Sequence, residues 1–252
     1  MSRLKLNPTI PFGISPVSPY RKVNAGVETA AARVAEKFQL SFVQSLFSSI
    51  TVEDLALIAP TTPKWIELYP FCDRRITSTI IDKAEKAGFE GLVIVLKEEM
   101  VDGFPSIPEL TNEYKPRLFD GIIEQGFFGA DISQLLIDHK LESNCQYVEW
   151  LVNSTKLSVV VKCDGFGNDN DFSNGIAGVC VSNHNGIANV KTATQYRIPI
   201  IISEDIISEQ EAATILKSGA DLILIERPIQ WGFMIDEQKG IEDVLKLYTS
   251  VL

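Results

Sequence analysis

The chain has 252 residues, 45% of them hydrophobic, which is enough to bury one large core, and a second full domain is not expected. Its 33 acidic and 23 basic residues give a net charge of −10, which excludes a polyanionic partner such as nucleic acid. The longest apolar runs, at residues 158–161 and 222–225, are too short to cross a bilayer, and no signal-type apolar segment follows the first residues. We therefore expect an intracellular protein without a membrane partner.

Short apolar runs rich in β-branched residues recur along the chain and alternate with segments of helical periodicity. This alternation predicts repeated βα units around a parallel sheet. The predicted strands lie at residues 9–15, 40–45, 64–69, 91–96, 158–162, 177–181, 198–202 and 221–225. Eight units of this length are typical of a (β/α)₈ TIM barrel, so we expect residues 1–252 to form one barrel domain of the α/β class.

Helices are predicted most clearly between these strands, at residues 25–38, 51–59, 75–87 and 208–218. Thr51 and Asp54 have the spacing of an N-cap and its N3 partner. Gly88 and Gly219 are expected to end the helices that precede them. The apolar residues of these helices recur at the spacing of a helix packed on a sheet, so we assign them to the core and not to a cofactor site.

Two segments interrupt the alternation of strands and helices. Residues 97–141 lack a clear period and contain several prolines, which predicts a long irregular excursion from the end of the fourth strand. In barrel enzymes, a loop at that end often covers the active face. Residues 164–175 are rich in glycine, asparagine and aspartate, but they lack the EF-hand pattern for calcium, so we interpret them as a solvated loop.

The cysteines are widely spaced and form no CxxC pair; they are Cys72, Cys145, Cys163 and Cys180. We interpret them as buried free thiols and expect neither disulfides nor a metal site.

The chain ends in Ser-Val-Leu and not in the peroxisomal signal Ser-Lys-Leu, so a cytoplasmic and a peroxisomal location both stay open.

Four stretches spanning most of the chain resemble one known family. The first combines residues 11–16 (PFGISP) with 26–35 (GVETAAARVA), and the second is 65–74 (WIELYPFCDR). The third combines Val161 and Lys162 with 181–184 (VSNH), and the fourth combines 217–220 (KSGA) with 227–232 (RPIQWG). In order and spacing they resemble the FMN-dependent α-hydroxyacid oxidase and dehydrogenase family. The sequence begins at what would be that family's first barrel strand, without the N-terminal helical extension that carries a substrate-binding tyrosine.

The resemblance implies which side chains would act on a small 2-hydroxy acid. In the family, a histidine at the end of the sixth strand removes a proton from the substrate while electrons pass to FMN, and His184 matches it. Tyr69 matches a hydroxyl donor to the substrate. The carboxylate that would stabilise the imidazolium aligns with Lys97, whose charge opposes that role. The arginine that would grip the substrate carboxylate falls at Ile187, and the next arginine is Arg197.

The resemblance also implies the contacts to FMN. Lys162 would stabilise negative charge on the flavin, Ser45 would bond to its ring, and Arg227 would contact the phosphate. The positions that depart from the family pattern around FMN are Glu67, Val95, residues 203–207 (SEDII) and Glu226. Acids at positions 204, 205 and 226 replace a phosphate-binding segment and a glycine, so we expect tight FMN binding to be lost.

Each of these assignments has a structural alternative. His184 would then be an inherited structural histidine, and Lys162 a strand-end residue paired with an acid. Arg227 would form a salt bridge with the acid at position 226 or with the one at position 204. His139 has no motif around it and is interpreted as a surface residue.

Two classes of function therefore remain open. The first is an FMN-dependent oxidase of a small 2-hydroxy acid, with His184 as the base and with activity that is weakened or lost. The second is a catalytically inactive barrel, a pseudoenzyme that binds a partner or has a structural role. The departures lie at the strand ends, where barrel enzymes carry their chemistry. The identity of the hydroxy acid stays open, and so does a homo-oligomer, since the family often forms tetramers.

Overall fold

Eight parallel strands form a closed barrel in the computed structural model, which describes residues 4, 6, 9–16, 26–96, 117–122, 144–163, 175–195 and 198–252. The strands are β1 (Phe12–Ile14), β2 (Ser41–Gln44), β3 (Lys64–Leu68), β4 (Gly91–Val95), β5 (Ser158–Cys163), β6 (Gly178–Val181), β7 (Ile200–Ile202) and β8 (Leu222–Ile225). Each strand pairs with the next, and β1 closes the barrel against β8, where Gly13 lies opposite Leu224. The predicted barrel and its eight predicted strands are confirmed.

Helices lie outside the barrel and connect most of its strands. They are α1 (Gly26–Phe38), α2 (Val52–Ile58), α3 (Arg74–Lys86), α4 (Asn144–Ser154), α5 (Ile187–Thr194), α6 (Glu209–Ser218) and α7 (Arg227–Thr249), with short 3₁₀ turns at Arg117–Phe119 and His184–Gly186. The predicted helices correspond to α1, α2, α3 and α6, with small shifts at their ends. The predicted capping box is present, because Thr51 and Asp54 each accept the other's backbone N–H. Gly219 ends α6 in the left-handed region, as predicted.

Side chains along each strand alternate between the barrel interior and the surrounding helices. The inward-facing apolar cluster consists of Val43, Trp65, Val93, Val160, Cys180, Ile201, Leu222 and Leu224. Trp65 fills the space opposite Gly91, where a Cβ atom would lie only 2.7 Å from Trp65 Cδ1. Outward-facing strand residues belong to the larger core shared with the helices. Because the cluster fills the interior, the next inward positions toward the carboxyl ends of the strands face the open end of the barrel.

The last helix, α7, consists of two parts that meet at a kink. Asp236 and Glu237 have non-helical backbone angles at the kink. The two parts approach each other at Gly232 and Gly240, where a Cβ atom on Gly240 would overlap the carbonyl oxygen of Gly232. In the second part, the hydroxyl of Tyr248 donates a 2.8 Å hydrogen bond to the carbonyl of residue 206. Helix α7 therefore supports the loop that follows β7.

The cysteines carry free thiols. Cys163 and Cys180 are buried, as predicted, and Cys145 is partly buried. The prediction of burial is wrong for Cys72, which is exposed because it lies in the turn between β3 and α3 and not in either element.

Several predictions fall outside the described residues. They concern most of the excursion at 97–141, nearly all of the loop at 164–175, and Lys97, His139 and Arg197. Within the described ranges, no helix has the length and apolar character needed to cross a membrane. The same ranges contain no group of three or more His, Cys, Asp or Glu side chains placed to hold a metal ion.

Candidate functional site

A cavity of about 120 Å³ lies at the carboxyl ends of the strands. It is lined by Ser15, Pro16, Ser45, Phe47, Glu67, Tyr69, Lys162 and Glu226. Ser45, Glu67 and Lys162 each follow a residue of the inward apolar cluster by two positions, so strand alternation points them into the same space. The barrel thus brings together three residues that the sequence places at the site: Ser45, Tyr69 and Lys162.

Lys162 is the buried cation of this cavity. Its ammonium lies 3.1 Å from Oε2 of Glu67, and the two side chains are only 17% and 7% exposed. Burial disfavours the charged ammonium, but attraction to Glu67 and Glu226 outweighs it and raises the pKa of Lys162 above its ordinary value. Lys162 therefore remains protonated and acts as a fixed cation, since an amine nucleophile needs a lowered pKa.

Glu226 is a second carboxyl group at the same cavity. Burial raises its pKa to about 7, with Glu67 and Asp205 adding to the rise, while Lys162 and Arg227 oppose it. Both protonation states of Glu226 are therefore populated near neutral pH. When ionised, it adds negative charge beside Lys162.

Arg227, at the start of α7, forms its ion pair with Asp205. The guanidinium nitrogen Nη2 lies 2.8 Å from Oδ2 of Asp205, and the two side chains are 55% and 49% exposed. Arg227 forms a salt bridge, as the alternative predicted, but the predicted partner at position 226 or 204 is wrong. Strand β8 alternates so that residue 226 faces the cavity, while residue 204 is turned toward His184.

His184 begins the 3₁₀ turn after β6, at the strand end where the sequence places it. Its ring nitrogen Nδ1 lies 2.6 Å from Oε1 of Glu204, and its backbone N–H donates to Oε2 of the same carboxylate at 3.1 Å. Because a carboxylate only accepts hydrogen bonds, Nδ1 is the donor. Asn183 caps the turn by accepting the backbone N–H of Asn185. Both oxygens of Glu204 are thus used by one histidine.

Comparison with known proteins identifies the family. A model of the FMN-dependent dehydrogenase family matches residues 6–251. The chain belongs to this family. The predicted family is confirmed, and with it FMN as the family's cofactor.

Two relatives of this chain share about a quarter of its residues. L-lactate oxidase of Lysinibacillus sphaericus (strain C3-41) is 26% identical over 269 residues, which cover 96% of this chain and 69% of that protein. The 2-hydroxyacid oxidase of Dictyostelium discoideum is 26% identical over 262 residues, covering 96% and 67%. The solved structure of a putative lactate oxidase from Pediococcus acidilactici has a TM-score of 0.80 at 21% identity, over 95% of this chain and 69% of that one. This structural likeness supports the barrel fold.

The residues present fit one end of FMN better than the other. Ser45, Tyr69 and Lys162 line one cavity, as a polar edge of the flavin ring would need. The cavity of about 120 Å³ is small beside ligand pockets, which enclose about 300–1,000 Å³. Arg227, which the sequence places at the phosphate, is paired with Asp205, whereas Glu226 lines the cavity with Lys162. A phosphate that approached Arg227 would also approach the carboxylate of Asp205.

The family resemblance places Ile187 where an arginine for the substrate carboxylate is expected. Its side chain is 3% exposed and belongs to the core beneath α5. A guanidinium could not be accommodated there without burying a charge. In this structure the position therefore belongs to the hydrophobic core.

Three contributions to the site were not predicted. They are Glu204 as the partner of His184, Asp205 as the partner of Arg227, and Ser15, whose hydroxyl lies 3.3 Å from that of Ser203. One signal was available. Because β6 and β7 are neighbours in an eight-stranded barrel, the residues after β7 are expected beside His184.

Proposed function

We propose that this protein is a divergent FMN-dependent 2-hydroxyacid oxidase in which oxidation of the hydroxy acid is weakened or lost. The observation that carries the proposal is that each basic side chain of the described site contacts a carboxylate: Lys162 with Glu67, Arg227 with Asp205, and His184 with Glu204. FMN carries a phosphate, and the hydroxy acid carries a carboxylate. Both are anions, so each would approach cations that already have anionic partners.

Simple electrostatics gives the scale of the effect at the phosphate end. Two unit charges about 4 Å apart interact by about 4 kcal/mol at an effective dielectric constant of about 20. A carboxylate beside Arg227 therefore cancels most of the attraction that the guanidinium would offer to phosphate. Arg227 and Asp205 are both exposed, so water and salt screen their charges. This screening weakens the attraction of Arg227 for Asp205 and its attraction for a phosphate. The proposal thus predicts weak FMN binding and not a strict exclusion.

The remaining residues retain parts of a hydroxyacid site. FMN, when bound, supplies the electron acceptor for the oxidation. In this proposal Ser45, Lys162 and Arg227 hold FMN, His184 accepts the proton of the substrate hydroxyl, and Tyr69 donates a hydrogen bond to the substrate. The single hydroxyl of Tyr69 binds a carboxylate less strongly than an arginine, which donates two hydrogen bonds to it. Weak substrate binding is expected to accompany weak FMN binding.

A catalytically inactive barrel that binds a partner or has a structural role is the second candidate. The burial of Ile187 favours it, because this position is committed to the core and leaves the substrate carboxylate without a cation there. The two candidates differ in one measurable respect. Only the first requires FMN bound near His184.

Titration of the purified protein with FMN tests the proposal. We expect no flavin absorption in the protein as purified and weak quenching of flavin fluorescence on titration. Replacing the acid paired with Arg227 and the acid beside Lys162, by Asp205→Asn together with Glu226→Gly, is expected to tighten FMN binding about tenfold, a change of about 1.4 kcal/mol. A matched control is Glu149→Gln with Asp243→Asn, which also removes two carboxyl groups but at positions that do not line the cavity.

Reduction by substrate separates the two candidates. Anaerobic addition of L-lactate or glycolate to the FMN-loaded protein is expected to bleach the flavin slowly under the first, and not at all under the second. Protein that is yellow as purified and is bleached rapidly would contradict weakening or loss of activity. Equal FMN affinities for the Asp205/Glu226 variant and its control would contradict the electrostatic explanation.

A further inference from the structure

Glu204 holds His184 through two different groups. One carboxylate oxygen accepts Nδ1–H of the ring at 2.6 Å, and the other accepts the backbone N–H at 3.1 Å. The Glu204 side chain is 15% exposed and that of His184 is 42% exposed. Two contacts from one carboxylate fix both the position of the turn and the rotation of the ring.

We propose that Glu204 is the positioning residue of a His184–Glu204 dyad. In the family, a carboxylate stabilises the imidazolium of the histidine, but the residue aligned with that carboxylate here is Lys97. Glu204 would supply the carboxylate instead. The inference relies on the role proposed above for His184 as the base, but not on how much activity the protein has. Glu204 does not touch the substrate in this assignment and acts only through the histidine.

The hydrogen bond to Nδ1 determines which nitrogen of His184 accepts a proton. A ring that donates from Nδ1 carries its lone pair on Nε2. No hydrogen bond to Nε2 is found within the part of the chain that the structure describes. The proton of a substrate hydroxyl would therefore pass to Nε2, and the imidazolium that forms would lie beside the carboxylate of Glu204.

The loop that carries Glu204 is held on both sides. We call residues 203–207, between β7 and α6, the rim loop. The hydroxyl of Ser203 lies 3.3 Å from that of Ser15 on the neighbouring side of the barrel, and the Ile206 carbonyl accepts the hydroxyl of Tyr248 at 2.8 Å. Asp205 is directed to Arg227 and does not compete for His184. The carboxylate of Glu204 is thus presented by an anchored segment.

The replacement of the family's phosphate segment therefore has two consequences. The rim loop places acids where a dianion would be unfavourable, and it supplies a carboxylate to the histidine. Replacement of this one segment thus weakens the contact with the phosphate of FMN and supplies the carboxylate contact that His184 needs for proton transfer. The two effects are separable, because Asp205 serves the first and Glu204 the second.

Nitrogen NMR of the histidine rings tests the dyad without FMN or substrate. The chain contains two histidines, so a ¹⁵N-histidine-labelled sample gives two ring patterns, and His139→Gln assigns the one from His184. The long-range ¹H–¹⁵N correlations of the neutral ring distinguish protonation at Nδ1 from protonation at Nε2. We expect His184 in the native protein to be mainly the Nδ1–H form. A native protein with mainly the Nε2–H form would overturn the proposal, whether or not any variant folds.

Substitution identifies Glu204 as the cause. Glu204→Ala is expected to convert His184 from mainly Nδ1–H to mainly Nε2–H, while Glu204→Gln, which keeps an acceptor oxygen, preserves a larger Nδ1–H fraction. Asp205→Ala is the control and should leave the His184 pattern unchanged. An unchanged pattern in folded Glu204→Ala would overturn the assignment. Absence of FMN binding would leave all of these outcomes as they are, so the dyad and the proposed function fail separately.

Discussion

The ammonium of Lys162 lies 3.1 Å from Oε2 of Glu67, and both side chains are largely shielded from water inside the barrel. The two residues come from β5 and β3, which lie on either side of β4, so their contact depends on the curvature of the sheet that turns both side chains inward. Removing water from two charges is costly, and their mutual attraction offsets that cost only while both are present. The pair therefore links the stability of the barrel to the charge of its cavity.

A double-mutant cycle measures this link. Lys162→Met is expected to lower the free energy of unfolding by about 3–5 kcal/mol, because it leaves Glu67 buried without its partner. Adding Glu67→Leu should recover much of that loss, since the double variant no longer leaves Glu67 buried without a partner. Urea denaturation at constant pH gives the unfolding free energies of the four proteins of the cycle, which are the native protein, Lys162→Met, Glu67→Leu and the double variant. Additive effects of the two substitutions would show that the pair is not coupled.

Glu226 is expected to make stability depend on pH. Its pKa is raised from 4.5 to about 7, so the folded state binds the proton more tightly than the unfolded chain does. The stabilisation by the neutral carboxyl is full below pH 4.5 and is lost as the pH rises through about 7.

Glu226→Gln keeps a neutral group at every pH and should remove this loss. Relative to the native protein, the variant should gain roughly 1–3 kcal/mol of unfolding free energy at pH 8 and little at pH 4.5. Urea denaturation at both pH values checks the difference. Glu149→Gln, which replaces an exposed acid on α4, serves as the control. A gain of equal size at both pH values would be inconsistent with a raised pKa for Glu226.

The contact between the two parts of α7 is expected to tolerate no side chain. Gly240→Ala would place a methyl group against the Gly232 carbonyl oxygen and should cost about 1–3 kcal/mol of stability through overpacking. Gly186→Ala is the matched control, because nothing lies within 4 Å of its Cβ position. Thermal unfolding compares the two variants. Similar melting temperatures would mean that the helix parts can separate without cost.

Tyr248 is expected to stabilise the rim loop. Burial raises its pKa to about 12, with Glu211 and Glu209 adding to the rise, so the hydroxyl remains protonated and donates to the Ile206 carbonyl. Tyr248→Phe leaves that carbonyl without its donor and should cost about 1–2 kcal/mol in urea denaturation.

Hydrogen exchange shows which part of the protein Tyr248→Phe destabilises. The backbone N–H of His184, which donates to Glu204, should exchange faster in Tyr248→Phe than in the native protein, because the loop carrying its acceptor is less firmly held. Amides of α3, on another side of the barrel, should be unaffected. Exchange that is accelerated equally in α3 would indicate global destabilisation and not a local role.

The elements of the fold could be predicted because their signals are local. The strand at residues 91–96 shows a run of apolar, partly β-branched residues, and the helix after Thr51 shows a cap at fixed spacing. Both patterns depend on residues a few positions apart, whose steric preferences act before any tertiary contact. The burial of Cys72 was predicted wrongly for the same reason, because neighbouring apolar residues do not reveal that a position lies in a turn.

By itself, the sequence determined the barrel, its strand ends and the presence of His184, Lys162, Tyr69, Ser45 and Arg227 among them. Only the tertiary structure decided which acid each cation contacts. Glu67 and Lys162 are 95 residues apart in the chain, and Glu204 follows His184 by 20. Their pairing depends on the curvature of the barrel, on the path of the rim loop and on side-chain rotation. None of these produces a periodic pattern in the sequence. An ion pair is decided by distance and shielding from water, and these exist only once the chain has folded.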